Sequence, residues 1–273
     1  MDYKKSSRRA RRHRSTLSIF LTILIIAAVA VGIIAAGIYF SGIRYISINT
    51  EDGVTIKYFG RVDSEGTPRS GKLYYSDGIT ADVDMEKNTV AYSNGDTYEG
   101  GLKNLRRDGY GKLIYASGDV YEGEFQLDRI TGYGIYYFSN GDVYEGYLVD
   151  GKKEGTGTYT WVDGSVYTGA YKNDMKNGEG KYVWADGSSY EGTYVNELKE
   201  GKGTYVFANG DRYVGDFAAD VRTGQGVYTW ANGEIYEGSF VDNKMSGEGK
   251  YTWPSGRVYE GYFENGKIVQ EEA

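Results

Sequence analysis

The chain has 273 residues, of which 41 are glycine and 29 are tyrosine. With only 2 prolines and no three-residue period it is not collagen, and its 40% hydrophobic content argues against disorder. It has no cysteine and 1 histidine, so disulfides, thiol nucleophiles and thiolate metal sites are excluded. The net charge of −7 conceals a basic start and an acidic remainder, and an acidic domain is a poor partner for nucleic acid or anionic lipid.

A basic tail, residues 1–16, opens the chain, and residues 17–40 (Leu17 to Phe40) carry no charge. A helix of that length spans a hydrocarbon core of ~30 Å, so we predict a single-pass transmembrane signal-anchor. The positive-inside rule then places the N-terminus in the cytoplasm and the remainder on the extracytoplasmic side. Cleavage at Ala28-Val29-Ala30 is the alternative, but that site lies in mid-stretch and the stretch is long for a signal peptide.

Residues 41–94 are predicted to form a juxtamembrane segment of degraded repeats. Gly71 to Gly78 match Gly111 to Gly118 in spacing, and Val90 to Gly95 match the end of a repeat. The step between Gly78 and Gly95 is shortened by six residues relative to the later copies. Terminal repeats of a stack are expected to be atypical because they cap it.

Residues 95–266 repeat with a constant step, marked by glycines at 95, 118, 141, 164, 187, 210, 233 and 256. Each copy contains Tyr-x-Gly-x-aromatic, as in Tyr121-Gly123-Phe125, and then Gly-x-Gly-x-Tyr-x-aromatic. Both blocks have the period of a strand, and their glycines disfavour helix. We predict seven complete β-hairpins with a six-residue loop such as Gln126 to Thr131, and an eighth copy that ends after its first strand.

These two blocks resemble the MORN (membrane occupation and recognition nexus) repeat. The resemblance implies an attachment or assembly module, which in this family is sometimes joined to an enzyme. In this sequence we predict no enzymatic domain beside the repeats. Family proposals of phospholipid binding fit poorly with an acidic, extracytoplasmic copy.

The alternation of side chains between the two faces of each strand predicts the register of the sheet. A three-residue turn at Ser139-Asn140-Gly141 pairs Phe138 with Asp142 and Tyr136 with Tyr144. The six-residue loop pairs Phe125 with Gly132 and Tyr121 with Tyr136. Tyrosine rows then run beside glycine rows on one face, where each glycine leaves space for a ring. The predicted fold is an all-β repeat, a single elongated, twisted antiparallel sheet of 15 strands over these repeats, preceded by one helix.

The opposite face carries a column of glutamates, Glu99, Glu122, Glu145, Glu191, Glu237 and Glu260. Lys112 and Lys250 lie between members of the column, which indicates cross-strand ion pairs rather than a hydrolase acid pair. Gly-x-Gly without a following helix is not a dinucleotide fingerprint, and no loop has calcium-ligand spacing. We therefore predict no enzyme activity, no catalytic residue, no cofactor and no metal site.

One region of this face departs from the polar pattern, and we predict it as a candidate binding patch. It consists of Tyr110, Tyr133, Ile135, Tyr137 and Tyr147, and it is extended by Ile114, Val120 and Val143. In later copies the equivalent positions hold Thr156, Glu179, Lys202 and Gln225. Contiguous exposed apolar residues usually mark an interaction site. The alternatives are that residues 44–94 fold over the patch or that a second copy does.

Together these features predict a membrane-anchored, non-catalytic scaffold or protein-binding module, with a protein partner or a second copy and no nucleic acid. The alternative is a module that binds cell-surface polysaccharide or lipid, since exposed aromatic rings stack on sugars and choline groups. The polar tail, residues 267–273, is predicted to discourage further strand addition.

Overall fold

The computed structural model describes residues 3–49, 53 and 55–269, with side chains from residue 19 onward. The basic side chains of residues 1–16 and the tail beyond 269 therefore lie outside the described part. The chain begins with one helix, α1 (Tyr3–Phe40), and every later regular element is a strand. Its residues divide by internal contacts into two compact bodies, Met1–Gly95 and Asp96–Ala273.

The strands of the first body are β1 (Ile43–Asn49), β2 (Thr55–Val62), β3 (Pro68–Tyr74), β4 (Thr80–Asp84) and β5 (Thr89–Tyr92). Those of the second body are β6 (Thr97–Lys103), β7 (Arg106–Ile114), β8 (Val120–Gln126), β9 (Arg129–Tyr137), β10 (Val143–Val149), β11 (Lys152–Thr160), β12 (Val166–Lys172), β13 (Met175–Val183), β14 (Ser189–Val195), β15 (Leu198–Val206), β16 (Arg212–Ala218), β17 (Val221–Thr229), β18 (Ile235–Val241), β19 (Lys244–Thr252), β20 (Val258–Glu264) and β21 (Lys267–Ile268). All 21 belong to one open antiparallel sheet, which confirms the predicted all-β repeat.

In the first body, the guanidinium of Arg44 lies 4.3 Å from the ring centre of Tyr39 and donates a hydrogen bond of 3.0 Å to the Tyr39 carbonyl. The β2–β3 hairpin places the ring of Tyr58 against the paired glycines Gly60 and Gly71, as the later repeats do. The β4–β5 hairpin has shorter arms and no such glycine pair, because the residues missing from this copy are those that would lengthen it.

The predicted three-residue turn is confirmed. The amide of Phe138 donates to the Asp142 carbonyl at 2.9 Å, and Tyr136 pairs with Tyr144. Gly141 has a φ of 96°, the left-handed conformation that this turn requires and that glycine adopts without strain. The parity argument therefore assigns the faces of the sheet correctly.

The predicted six-residue loop is wrong. Strands β8 and β9 continue to a two-residue turn at Leu127-Asp128, whose φ angles of 48° and 70° are those of a type I′ turn. Phe125 therefore pairs with Ile130 rather than with Gly132. The extra residues form a bulge at Gly132, whose φ is 69°, and this restores the pairing of Tyr121 with Tyr136. The predicted eighth copy also goes one step further, into the two-residue strand β21.

The first glycine of each Gly-x-Gly forms this bulge, and the second accommodates a tyrosine ring. A Cβ on Gly157 would lie 2.5 Å from the hydroxyl oxygen of Tyr144, and one on Gly146 would lie 2.6 Å from the Gly157 Cα. The ring of Tyr144 is therefore in direct contact with both glycines, and only 1% of the residue is exposed. Its hydroxyl donates to the Tyr147 carbonyl at 2.8 Å, so the buried oxygen is satisfied. The predicted ring-over-glycine packing is confirmed.

Neighbouring repeats are joined by polar contacts at both edges. At the type I′ turns, the Asp128 carboxylate accepts a hydrogen bond of 2.9 Å from the backbone amide of Arg107. The Asp128 amide donates a hydrogen bond of 2.8 Å to the Arg107 carbonyl. At the three-residue turns, Asp142 accepts from the amide of Val162 at 2.8 Å and from the hydroxyl of Tyr159 at 2.8 Å. These contacts satisfy backbone groups that a single layer of sheet would leave to water.

Candidate functional site

The two faces of the repeat sheet have different characters, because side chains alternate along each strand. The tyrosine face, which carries Tyr121, Tyr136 and the glycine pairs, packs its rings against one another and against cations of the same chain. Lys153, for example, lies 4.8 Å from the ring centre of Tyr159, and Arg222 lies 5.3 Å from that of Tyr228. The tyrosine face thus supplies the core of this single-layer sheet.

The glutamate face, which carries the column of glutamates, contains the predicted ion pairs. The Lys112 ammonium lies 2.7 Å from the Glu122 carboxylate, which raises the pKa of Lys112, and Lys250 lies 3.7 Å from Glu260. Lys112 is also paired across strands with Glu99. Three of the six carboxylates of the column, those of Glu122, Glu191 and Glu260, are therefore ion-paired with a lysine of the neighbouring strand.

The aromatic patch (Tyr110, Tyr133, Ile135, Tyr137 and Tyr147) lies on this glutamate face, on strands β7, β9 and β10. Tyr110 is 66% exposed and Tyr147 is 51% exposed, whereas Tyr121 and Tyr144 of the opposite face are buried. Ile135 is partly buried between Glu122 and Glu145 of the neighbouring strands. The structure therefore brings the five predicted residues together as one exposed surface.

The centre of the patch is a pair of rings from adjacent strands. Tyr133 lies directly opposite Tyr147, with ring centres 5.4 Å apart and planes at 78°, an edge-to-face arrangement. The Tyr133 hydroxyl donates to Glu145 Oε1 at 2.7 Å, which raises the pKa of Tyr133. The Tyr133 amide donates to Glu124 Oε1 at 3.4 Å. Two carboxylates thus border the ring pair.

The same row of the sheet carries polar pairs in the repeats that contain Glu179, Lys202 and Gln225. Glu179 accepts from the Thr193 hydroxyl at 2.5 Å, and Gln225 donates to the Ser239 hydroxyl at 2.8 Å. Between them, Lys202 lies 2.7 Å from Asp216 and lowers the pKa of that carboxyl. Aromatic residues are therefore not required at these positions by the sheet itself.

Sequence reasoning missed an open groove on the glutamate face of the later repeats. The groove has a volume of about 1240 Å³ and is lined by Glu179, Glu191, Lys202, Arg212, Glu237 and Glu248, among others. Its curvature follows from the twist of the sheet and has no residue signature. Sequence reasoning also missed the role of Glu124, although its position opposite Tyr110 follows from the predicted register.

The site offers no arrangement typical of an enzyme or a metal centre. Among the residues that the structure describes, no group of three or more His, Asp or Glu side chains could hold a metal ion. Glu122, Glu145, Glu179 and Glu191 on this face are each ion-paired or hydrogen-bonded at an open surface. General acid–base catalysis instead relies on a titratable group whose pKa is tuned by a pocket.

The apolar part of α1, Ile19–Phe40, is long and apolar enough to span a membrane, and its described side chains are exposed. By length and composition it fits a membrane span or a signal sequence equally well.

The MORN repeat model matches seven consecutive segments, residues 98–120, 121–143, 144–166, 167–189, 190–212, 213–235 and 236–256. These segments cover more than half of the chain, so the protein belongs to the MORN repeat family. A comparison with curated protein sequences gives no match.

Solved structures that align with most of this chain include two from animals. The TCP10 domain of Danio rerio CPAP, solved with a STIL peptide, is 14% identical, with a TM-score of 0.41 over 81% of this chain and 100% of that one. The Drosophila melanogaster SAS-4 (dCPAP) TCP domain, solved with a proline-rich motif of Ana2, is 11% identical, with a TM-score of 0.24 over 80% of this chain and 90% of that one. At these values the likeness carries no argument about function.

Proposed function

We propose that this chain is a non-catalytic, membrane-anchored MORN-repeat scaffold whose aromatic patch binds a protein partner. The observation that carries the proposal is the contrast along one row of the glutamate face. Early repeats expose the ring pair of Tyr133 and Tyr147, whereas the repeats that contain Glu179, Lys202 and Gln225 fill the same row with polar pairs such as Gln225 and Ser239. Exposed apolar clusters of this kind usually mark interaction sites, and tyrosine is enriched in binding hot spots.

The anchor would be Leu17–Phe40, with residues 1–16 in the cytoplasm, residues 41–94 next to the membrane and the repeats 95–266 outside it. The apolar length of α1 and the basic residues before it support this orientation. Protease added to intact cells should remove the repeats and spare the N-terminal tail. Protected repeats with a digested tail would reverse the orientation, and secretion of a shortened chain would identify a cleaved signal sequence.

Binding of polysaccharide is less well supported than binding of protein. The half-buried aromatic residues at the edge of the tyrosine face already stack on one another, for example Tyr182 on Trp184 with ring centres 4.5 Å apart. A sugar needs the flat face of a ring, and on the tyrosine face these ring faces are occupied by neighbouring rings, which leaves only the few rings of the aromatic patch. Binding of anionic lipid is opposed by the acidic repeats.

The test is to replace Tyr133 and Tyr147 together by serine in the full chain and to capture partners from native membranes. We expect loss of a partner with an unchanged melting temperature, whereas the control Gln225→Ser should retain the partner. A large fall in melting temperature without loss of the partner would assign the ring pair to internal packing. If light scattering instead shows that the double variant dissociates a dimer, the occupant is a second copy.

A further inference from the structure

We propose that the aromatic patch recognises a cationic segment of its partner, in which arginine or lysine side chains lie over the exposed rings and between two carboxylates. The inference rests on the proposed function and specifies the chemistry of the partner. It follows from three features of the glutamate face: carboxylates without an ion pair, rings without a cation, and the order of these groups along the row.

The first feature is the charge beside the ring pair. Glu124 and Glu145 contact only neutral donors, namely the amide and the hydroxyl of Tyr133. Within the described residues, neither carboxylate forms an ion pair with a lysine or arginine. By contrast, Glu122 is neutralised by Lys112 and Glu191 by Lys181. Two exposed negative charges therefore remain at the patch, and one or two cationic side chains would neutralise them.

The second feature is the absence of a cation over the exposed rings. On the tyrosine face, a column of the chain's own cations covers the rings, with Lys153 over Tyr144 and Lys176 over Tyr167. In the described part of the chain, no lysine or arginine lies over the rings of Tyr110, Tyr133 or Tyr147. Tyrosine faces attract guanidinium and ammonium groups within ~6 Å of the ring centre. The patch thus has the rings of this recurring arrangement and lacks its cation.

The third feature is the order of groups along the row. Tyr110 on β7 faces Glu124 on β8, followed by Tyr133 on β9 and Tyr147 on β10, so a carboxylate lies between aromatic rings. Adjacent strands are ~4.8 Å apart, so the row extends over roughly 15 Å. An extended segment that alternates cationic and apolar residues presents all of its cationic side chains on one face, and that face fits such a row. Its cations would lie over the rings and beside the carboxylates, and the aliphatic stems of those side chains would contact Ile135.

The experiment uses the full chain in detergent micelles and a fluorescent peptide of alternating arginine and leucine. Its control peptide replaces each arginine by citrulline, which keeps the shape and removes the charge. We expect the arginine peptide to bind about tenfold more tightly than the citrulline peptide, with an affinity that falls as salt is added. Equal binding of the two peptides would overturn the inference.

Matched variants locate the binding. Glu124→Gln with Glu145→Gln should weaken binding of the arginine peptide about tenfold, whereas Glu191→Gln with Glu260→Gln on the same face should leave it within about twofold, because those two carboxylates are already ion-paired with lysines. Equal losses from both pairs would mean diffuse attraction to an acidic domain and would contradict a specific site.

Two further outcomes separate this inference from the proposed function. If Tyr133→Ser with Tyr147→Ser abolishes capture of the native partner while the arginine peptide does not bind, the patch binds a protein that is not cationic. If phosphatidylcholine vesicles bind and the glutamine pair at Glu124 and Glu145 abolishes that binding, the cation belongs to a lipid headgroup. Either result would overturn the proposal that the partner contributes a cationic protein segment, and the first result would leave the proposed function intact.

Discussion

Replacing Gly146 by valine should destabilise the sheet by about 2–4 kcal/mol. The added Cβ would lie 2.6 Å from both the Gly157 Cα and the Tyr144 hydroxyl, and 2.8 Å from the Thr156 carbonyl oxygen. The two backbone contacts cannot move without separating β10 from β11. Overpacking of this kind costs about 1–3 kcal/mol. The displaced Tyr144 hydroxyl would also lose its bond to the Tyr147 carbonyl, which adds about 0.5–1.5 kcal/mol.

The matched control is the preceding residue, Glu145, whose side chain points to the opposite, exposed face. Glu145→Gln keeps an acceptor for the Tyr133 hydroxyl and should change the free energy of unfolding by less than about 0.5 kcal/mol. Urea unfolding of the full chain in micelles, followed by circular dichroism, measures both variants. Similar changes for the two would refute the assignment of one face to packing and the other to solvent.

Three further predictions concern the tyrosine face. Tyr194→Phe should leave the free energy of unfolding unchanged or raise it by about 1 kcal/mol in thermal unfolding, because the Tyr194 hydroxyl is buried without a partner in the described chain. Tyr190→Phe should lower the free energy of unfolding by about 1 kcal/mol, because it removes a hydrogen bond to the Thr193 carbonyl. Burial raises the pKa of Tyr190 to about 12, whereas the pKa in the unfolded chain is about 10. Stability should therefore be constant below pH 10 and fall between about pH 10 and 12. Tyrosinate absorbance should increase over the same pH range in which the circular dichroism signal is lost. Asp142→Ala should lower the unfolding free energy by about 1–3 kcal/mol, because three donors lose their acceptor; an effect below about 0.5 kcal/mol would show that the turns do not join the repeats.

The sequence predicted correctly which side chains lie on each face of the sheet, but it did not predict the turns at the outer ends of the hairpins. Parity across Ser139-Asn140-Gly141 determines which side chains share a face, because a shift of one residue would reverse them all. The opposite turn was missed because Leu127-Asp128 is not a standard type I′ sequence. The signal existed elsewhere in the same column, since Asp150-Gly151 and Asn265-Gly266 are typical type I′ pairs. Comparing all copies at that position would have revealed it.

The sequence predicted which residues form the aromatic patch, but it did not predict the hydrogen bonds of the carboxylates beside it. Alternation alone places Tyr133 opposite Tyr147, and the structure confirms that contact. Register places Lys112 opposite Glu122, whereas Ile135 and Thr158 lie opposite Glu145, so it distinguishes the two glutamates. It does not predict that Glu145 accepts a hydrogen bond from Tyr133, because these two residues are not directly opposite and the bond depends on side-chain conformation. The groove of the later repeats depends in the same way on the twist of the sheet.

The central claim is that the early repeats, and not the later ones, present the binding surface on the glutamate face. Photo-crosslinking in cells tests it most directly, with a photoreactive amino acid placed in turn at Tyr110, at Gln225 and at Phe138. Tyr110 and Gln225 occupy equivalent positions of two repeats on the same face, and Phe138 lies on the tyrosine face. We predict a crosslinked partner from Tyr110 and none from the other two positions. Crosslinks of equal yield from Tyr110 and Gln225, or a partner captured only from Phe138, would contradict the account.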